Sequence, residues 1–207
     1  MVKNILWDFD GVILDSMKIR DWGFKEIFKS FKKRDIDKLI DYHNLNGGLS
    51  RYVKIRYFYE EILKKEITED KVLEYANDFS FLMKKELVNP NNLIKDSVVF
   101  IKDNYKKYDF HIVSGSDQHE LRFLCEELKI DKYFISIHGS PTQKNILVQN
   151  LISSNNYKME ETCLIGDSIN DFEAAELNNI SFYSYNSKFL KEKEIGRYIN
   201  NFLEFNF

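Results

Sequence analysis

Two aspartates near the start of the chain, Asp8 and Asp10, follow an apolar run and are separated by a single residue. At the end of a strand this spacing allows both carboxylates to point into one crevice, and Gly11 lets the chain turn there. Carboxylates crowded together repel one another unless a cation lies among them. The pair is therefore a candidate centre for metal-assisted chemistry.

Three further polar clusters follow later apolar runs. Ser114-Gly115-Ser116 combines a hydroxyl with backbone N–H groups ahead of a predicted helix, which is typical of an anion site. Lys144 lies in the first turns of the next predicted helix, and Gly166-Asp167-Ser168-Ile169-Asn170-Asp171 follows a later run. Mg²⁺ is the cation that best fits these oxygen ligands, and the lysine and the Ser114 hydroxyl suit the oxygens of a phosphoryl group.

Each cluster by itself has an ordinary structural explanation, as a turn, a loop, a helix start or a surface lysine. Their order favours a shared function, because each one follows a predicted buried strand. Open α/β sheets bind ligands beyond the carboxyl ends of their strands. We therefore expect the four clusters to form one site.

Five short apolar or β-branched runs predict the strands, at residues 4–8, 110–114, 134–137, 162–166 and 180–185. Most lack polar alternation, which is typical of strands buried on both faces of a parallel sheet. Amphipathic stretches at 117–129, 141–153 and 168–178 predict the helices between the last four strands, with Ser140 and Pro141 opening the second of them. The alternation predicts an α/β fold, a Rossmann-like doubly wound parallel sheet.

About 100 residues separate the first two strands, and most carry helical patterns, at 18–31, 36–42, 49–64, 69–86 and 97–105. The last can serve as a crossover helix, but the others cannot all do so. We therefore predict an inserted α-helical cap subdomain over residues 16–88, called the cap below, and a core domain formed by residues 1–15 and 89–207. Asn89-Pro90-Asn91-Asn92 is the predicted return linker, because Asn and Pro break helices.

The composition limits the partners and the compartment. Acidic and basic residues nearly balance, 33 against 30, which gives little support to a nucleic acid or a membrane surface as partner. No signal peptide is recognisable, and no run approaches the roughly 20 apolar residues of a membrane helix. Cys125 and Cys163 lie in apolar runs and are expected to be reduced core residues, consistent with a cytoplasmic protein. The oligomeric state stays open, and a monomer is compatible with the sequence.

The four clusters resemble the sequence motifs of a known family. The run Asp8-Phe9-Asp10-Gly11-Val12-Ile13-Leu14-Asp15-Ser16 resembles the first motif of the haloacid dehalogenase superfamily, the aspartate-nucleophile phosphohydrolases. Ser114-Gly115-Ser116 resembles the second motif, Lys144 the third, and Gly166-Asp167-Ser168 with Asp171 the fourth. The place of the cap, directly after the first motif, resembles the phosphoglycolate phosphatase and β-phosphoglucomutase group.

The resemblance implies a role for each motif residue. Asp8 would be the nucleophile and a Mg²⁺ ligand, and Asp10 the general acid/base, whose backbone carbonyl also binds Mg²⁺. Asp167 would be a metal ligand, and Asp171 would orient Lys144 or a water at the metal. The groups implied to hold the phosphoryl oxygens are Ser114, Lys144 and the backbone N–H groups of Phe9 and Gly115.

In the cap, the glycine pair Gly47-Gly48 leads into a predicted helix with an early arginine, Arg51. The arrangement resembles the substrate-specificity loop of the β-phosphoglucomutase group, so Gly48 and Arg51 are the predicted substrate contacts. We expect Lys54 and Arg56 to be exposed.

His43 could face the active site, although a position on a helix surface is favoured. The aromatic residues of the cap recur at helical spacing and are expected in its core. They are Trp22, Phe24, Phe28, Tyr52, Tyr57, Phe58 and Tyr59.

The function implied is Mg²⁺-dependent hydrolysis of a small phosphorylated metabolite, a phosphosugar or a phosphorylated small acid, through an aspartyl-phosphate. A phosphomutase of the β-phosphoglucomutase type is the alternative among enzymes. A dehalogenase is disfavoured, because halide leaves without a proton and the dehalogenases of the superfamily lack an aspartate at the position of Asp10. A non-catalytic sensor of phosphorylated metabolites is a third hypothesis, which the intact nucleophile disfavours.

Overall fold

The computed structural model describes residues 1–207 and contains one six-stranded, fully parallel sheet. Its strands are β1 (Asn4–Trp7), β2 (Asp109–Asp117), β3 (Ser136–Ser140), β4 (Thr162–Gly166), β5 (Ser181–Tyr185) and β6 (Arg197–Ile199). Their order in space is β3-β2-β1-β4-β5-β6. The chain thus winds outward in both directions from β1, which confirms the doubly wound α/β fold. The crevice of such a sheet opens where the order reverses, between β1 and β4.

Nine α-helices surround the sheet and build the cap. They are α1 (Met17–Ile27), α2 (Lys33–Leu45), α3 (Arg51–Tyr57), α4 (Glu69–Glu86), α5 (Lys95–Asn104), α6 (Gln118–Glu127), α7 (Lys144–Asn155), α8 (Ile169–Leu177) and α9 (Lys188–Glu192). A π-helical turn, Phe58–Ile62, continues α3. The bounds of α4 match the prediction because Thr68 caps it, accepting a hydrogen bond from the N–H of Lys71. None of the helices combines the length and apolarity needed to cross a membrane.

The central strand β1 is buried on both faces, which explains its unbroken apolar sequence. Ile5 and Trp7 belong to one hydrophobic cluster, whereas Leu6 belongs to a second cluster that includes Val148 of α7. Successive side chains of a strand point to opposite faces, so these two clusters lie on the two sides of the sheet. The two cysteines are free and buried, as expected.

The cap packs around aromatic side chains contributed by several of its helices. The ring centroids of Phe24 in α1 and Phe79 in α4 lie 4.4 Å apart, and those of Phe28 and Phe58 lie 4.2 Å apart. Phe24, Phe28 and Phe58 are therefore in the core, whereas Trp22 is 41% exposed and its predicted core position is wrong. Trp22 precedes the buried pair Gly23-Phe24 and falls on the outer face of α1.

The chain leaves the sheet and returns to it at a single place. Leu14 forms an antiparallel bridge with Leu93, and the N–H of Asp15 donates to the carbonyl of Asn92 over 2.7 Å. The two connections between cap and core therefore lie side by side. The division into residues 16–88 and the remainder stays a prediction.

Most element boundaries differ from the sequence prediction by one or more residues, and the differences around β3 and α7 bear on the site. β3 runs from Ser136 to Ser140 rather than over 134–137, and α7 begins at Lys144 rather than at Pro141. Ser140 pairs with Asp117 of β2, and a residue that precedes proline prefers an extended backbone. The short elements β6 and α9 were not predicted, because three to five residues show too little periodicity.

Candidate active site

Asp8 and Lys144 meet at the carboxyl end of β1. Asp8 is 3% exposed, and Lys144, the first residue of α7, places its Nζ 2.7 Å from Asp8 Oδ1. The ammonium also contacts Asp171 Oδ1. Although burial disfavours its charge, the carboxylates of Asp171 and Asp8 raise the pKa of Lys144. Burial and the neighbouring Asp171 raise the pKa of Asp8 to about 7.

Three carboxylates form one cluster at the crevice between β1 and β4. Oxygen atoms of Asp8, Asp167 and Asp171 all lie within 4.8 Å of one another. Burial and the charge of Asp8 raise the pKa of Asp167 well above its ordinary value. A single lysine does not balance three acids at this distance, and a divalent cation would. The all-oxygen donor set fits Mg²⁺.

The position of Asp171 suits an orienting role better than direct metal binding. Its Oδ1 contacts Lys144, and its Oδ2 accepts from the N–H and the hydroxyl of Ser168 over 3.0 and 2.7 Å. Because both oxygens are engaged, Asp8 and Asp167 are the residues with a carboxylate oxygen to offer a cation. Gly11, with φ +77°, turns the chain beside them, and a Cβ at Gly11 would collide with Asp167 Oδ2.

The Asp10 carboxylate is held apart from this cluster. Its Oδ1 accepts from Arg20 Nε over 2.6 Å and from the Ser16 hydroxyl, and its Oδ2 accepts from the Ser116 hydroxyl over 2.6 Å. Burial works against the charged form, but Arg20 and the two hydroxyls lower the pKa of Asp10 below its usual value. The side chain expected to transfer protons is thus tied to the first helix of the cap.

A buried network of charges extends from Asp10 into the cap. Arg20 Nη1 donates to Glu120 Oε1 over 3.1 Å, and Arg51 Nη1 donates to Glu120 Oε2 over 2.5 Å. Glu120 is fully buried on α6 of the core, whereas both arginines belong to cap helices. Arg51 Nη1 also donates to the Ser80 hydroxyl of α4. One core carboxylate therefore joins two cap arginines.

We expect Glu120→Gln to lower the free energy of unfolding by about 3 kcal/mol, because it leaves two buried guanidinium groups with one carboxylate fewer. Chemical denaturation followed by circular dichroism measures the change. The exposed Glu127 on the same helix gives the matched control Glu127→Gln, which should change the free energy of unfolding by less than about 0.5 kcal/mol. Equal effects of the two substitutions would show that the network does not stabilise the fold.

The predicted phosphate-binding groups lie at the ends of β1 and β2. Ser114 is 1% exposed, and its Oγ accepts from the N–H of Ser116 over 3.1 Å, which leaves the hydroxyl proton free to donate. A Cβ at Gly115 would overlap the carbonyl oxygen of Gly48, so the cap loop lies directly on this part of β2. The Phe9 side chain is fully buried, which fixes the backbone between the two aspartates.

Two cavities lie between the cap and the core. The smaller, of about 20 Å³, is bordered by Asp10, Ser116 and Gly115 of the core and by cap residues that include Arg51. The larger is a groove of about 660 Å³ between α3 and α8, and it reaches Lys144 and Gly115. The cap therefore covers Asp10 closely, while the groove leaves a path from solvent to the phosphate-binding groups.

Two expectations about the cap are wrong. Lys54 is 2% exposed and His43 is 2% exposed, although both were expected on the surface, and both line the small cavity. Arg51, Lys54 and Ile55 lie on one face of α3, the face that packs inward. Arg56 lies off this face and is half-buried, and it forms a bidentate pair with Glu69.

Arg51 lines the small cavity beside Asp10. The predicted contacts of Arg51 and Gly48 with substrate stay predictions.

Arg20 and Glu120 belong to the site but were not predicted from the sequence. Arg20 lies four residues before Phe24 on the same face of α1, and Glu120 is next to Leu121 on the buried face of α6. A charged residue on an apolar face needs a buried partner. That pattern could have indicated both residues, but not that they bind each other.

The sequence matches a family model described as haloacid dehalogenase-like hydrolase over residues 5–184. Comparison with curated proteins gives no significant match. Among solved structures, β-phosphoglucomutase from Clostridium difficile has a TM-score of 0.79 at 14% identity, covering 100% of this chain and 94% of that one.

Two further structures are similar over nearly the whole chain. A predicted phosphatase from Clostridium acetobutylicum has a TM-score of 0.77 at 17% identity, with 99% of this chain and 96% of that one covered. CbbY from Rhodobacter sphaeroides, in complex with phosphate, has a TM-score of 0.76 at 13% identity, with 99% and 96% covered. At such identities these structures show a shared fold. Since the family model spans most of the sequence, this chain belongs to the haloacid dehalogenase-like hydrolase family.

Proposed function

We propose that this hydrolase is a Mg²⁺-dependent phosphatase of a small phosphorylated metabolite, acting through an aspartyl-phosphate. The observation that carries the proposal is the Asp8 carboxylate at the end of β1, held by Lys144 over 2.7 Å and grouped with Asp167 and Asp171. A carboxylate can attack a phosphate dianion only where positive charge offsets their repulsion. Asp8 and Asp167, with the Asp10 carbonyl, would hold Mg²⁺, which supplies part of that charge when bound.

In the first step a carboxylate oxygen of Asp8 forms a bond to phosphorus, and the bond from phosphorus to the ester oxygen breaks. Lys144 and Ser114 orient the phosphoryl oxygens, together with the N–H groups of Phe9 and Gly115. The leaving alkoxide needs a proton, and Asp10 is the residue proposed to donate it. The residues with these tasks converge on the carboxyl edge of β1, β2 and β4.

In the second step water attacks the aspartyl-phosphate on Asp8, and Asp10 accepts the proton of that water. The reaction releases inorganic phosphate, restores the Asp8 carboxylate and returns Asp10 to the protonated form in which it can donate again. The hydrogen bonds from Arg20, Ser16 and Ser116 hold Asp10 in one position and favour its charged form, which accepts the proton in this step. The first step requires the protonated form, so Asp10 must take up a proton before the leaving oxygen departs. The groove that reaches Lys144 supports hydrolysis, because water needs a path to phosphorus.

A phosphomutase of the β-phosphoglucomutase type is the second candidate. The observation that favours it is the close cover of Asp10 by the cap, which leaves a cavity of about 20 Å³. A mutase must keep water from the aspartyl-phosphate and pass the phosphoryl group to a sugar hydroxyl. Assays of phosphate release and of sugar phosphate isomerisation, the latter primed with a bisphosphorylated sugar, distinguish the two functions. Release without isomerisation would exclude the mutase.

We expect activity to depend on Mg²⁺, because Asp8, Asp167 and Asp171 cluster within 4.8 Å. Dialysis against a chelator should abolish turnover of an aryl phosphate, and added Mg²⁺ should restore it. Ca²⁺ should inhibit, since its larger and looser coordination sphere alters the position of Asp8. Full activity in excess chelator, with no ion detected by elemental analysis, would contradict the proposed metal dependence.

The test of the proposed function is a panel of phosphorylated metabolites and one aryl phosphate, incubated with purified protein and Mg²⁺. Release of inorganic phosphate at rates that depend on Asp8 would support the phosphatase. A protein that binds members of the panel but turns over none of them, aryl phosphate included, would be a sensor.

A further inference from the structure

The small cavity beside Asp10 contains more positive than negative charge. Its charged lining residues are Asp10 of the core and Arg20, Arg51 and Lys54 of the cap. Arg20 pairs with Asp10 and Glu120, and Arg51 pairs with Glu120. The two carboxylates are therefore matched by the two arginines, and the ammonium of Lys54 is left in excess.

Lys54 is buried without a carboxylate partner. Its Nζ lies 2.8 Å from His43 Nδ1 and 3.2 Å from the carbonyl oxygen of Gly47, and neither group carries a negative charge. Burial and the charge of Arg20 lower the pKa of Lys54 to about 7. Keeping a cation in such a place destabilises the fold unless something compensates it. The closed cavity of about 20 Å³ has room for little more than a water molecule, so an anion that reaches Lys54 as the cap opens would supply that compensation.

His43 fixes the position of the Lys54 ammonium. Burial and the charge of Lys54 lower the pKa of His43 well below its ordinary value, so the ring is neutral. Because an ammonium can only donate, Nδ1 accepts its hydrogen bond, and the ring proton lies on Nε2. Nε2 points toward Asp21 Oδ1 at 3.7 Å, which is too far for a hydrogen bond. The Phe24 ring, with its centroid 5.0 Å away, packs against the imidazole.

The arginines around the same cavity also have unused donors. Arg20 Nη2 and both Nε and Nη2 of Arg51 are buried and have no hydrogen-bond partner. Buried donors of this kind are costly and are rare in folded proteins. The oxygens of a carboxylate or a phosphate could accept from them while pairing with Lys54.

We propose that Lys54, positioned by His43, binds an anionic group at the end of the substrate remote from the transferred phosphoryl group. The substrate would then carry a second oxyanion, as a carboxylate or as a further phosphate. This inference rests on the proposed phosphatase function and narrows its substrate class. Lys54 would act by holding the remote end, so that its binding energy positions the phosphoryl group at Asp8.

The test uses pairs of substrates that differ only in the second anionic group. Phosphogluconate and sorbitol phosphate form one pair, phosphoglycerate and glycerol phosphate a second, and fructose bisphosphate and fructose phosphate a third. For the wild type, kcat/KM should favour the doubly charged member of at least one pair by about 10- to 100-fold, the usual effect of a hydrogen bond to a charged group. The first two pairs report a carboxylate, and the third reports a phosphate.

Lys54→Met should remove this preference. It should lower kcat/KM for the favoured substrate by about 10- to 100-fold and change turnover of its uncharged counterpart and of an aryl phosphate by less than about threefold. Lys54→Arg, which keeps the charge, should retain part of the preference. The exposed Lys38 on α2 gives the control Lys38→Met, which makes the same change outside the cavity and should leave the preference intact.

Thermal denaturation separates a binding role from a structural one. Met has a stem of similar length, and the substitution removes a buried charge, so the Lys54→Met midpoint should equal or exceed that of the wild type. A lysine needed only to hold the Gly47 loop would instead give a lower midpoint and equal losses on every substrate. That combination would overturn the inference.

A binding experiment tests the inference without turnover. In the Asp8→Asn background, calorimetric titration with phosphogluconate and with sorbitol phosphate should show tighter binding of the acid, and Lys54→Met should abolish the difference. If this difference is found but no phosphate ester is hydrolysed by the wild type, the proposed phosphatase fails and the anion site stands. If the wild type hydrolyses phosphate esters with no preference in any pair, or if the preference survives Lys54→Met, the anion site is wrong and the phosphatase stands.

Discussion

Asp8→Asn should reduce turnover of every phosphate ester by about 10⁴-fold or more, because an amide is a poor nucleophile and no aspartyl-phosphate can form. The substitution keeps the shape of the side chain, and its Oδ1 can still accept from Lys144. It also removes one of three clustered carboxylates, so the free energy of unfolding should not fall. Steady-state phosphate release measures the loss, and circular dichroism checks the fold.

The control for this substitution is Asp103→Asn, which makes the same chemical change at an exposed position of α5. It should keep wild-type turnover. Wild-type rates in Asp8→Asn would show that Asp8 is not the nucleophile. That result would also contradict the proposed function.

Asp10→Asn should act differently on alkyl and aryl phosphates. It keeps Asp8 and the backbone carbonyl at position 10, but it removes the proposed proton donor and acceptor. Alkyl phosphates should lose about 10²- to 10⁴-fold in turnover, because their alkoxide leaving groups need a proton. An aryl phosphate has a leaving group that is stable without a proton, so its first step should be affected less.

The second step should still be slow in Asp10→Asn, because the attacking water has lost its base. The variant should then release a burst of phenol and accumulate a phosphoryl group on Asp8. Rapid quench followed by intact-mass measurement detects that group, and Asp8→Asn, which cannot form it, is the control. Equal, small losses on alkyl and aryl phosphates would show that Asp10 does not transfer the proton.

The contacts of Arg20 indicate that Asp10→Asn should leave the cap in place. Its Nε lies 2.6 Å from Asp10 Oδ1, and its Nη1 lies 3.1 Å from Glu120. In Asp10→Asn the guanidinium loses a charged partner but keeps Glu120. The cap should therefore stay in place, and the change in leaving-group dependence can be assigned to Asp10 itself.

The motif residues could be predicted from sequence because each follows a strand whose apolar character is local. Asp8 follows β1, Ser114 lies in the last part of β2, and Asp167 follows β4, and these three strands are neighbours in the sheet. Parallel strands bring their carboxyl ends to one edge, so their order along the chain was enough to group the residues. Boundaries were less predictable, as the extension of β3 to Ser140 shows.

The sequence alone therefore determined the family, the parallel α/β sheet and the residues at its carboxyl edge, because short-range patterns encode all three. The tertiary structure alone decided how the cap meets that edge. Arg51 and Arg20 of the cap pair with Glu120 of the core, from which they are 69 and 100 positions apart, and no local pattern specifies such partners. The burial of Lys54 and His43 was decided in the same way, since a helix face becomes interior only when another part of the chain packs on it.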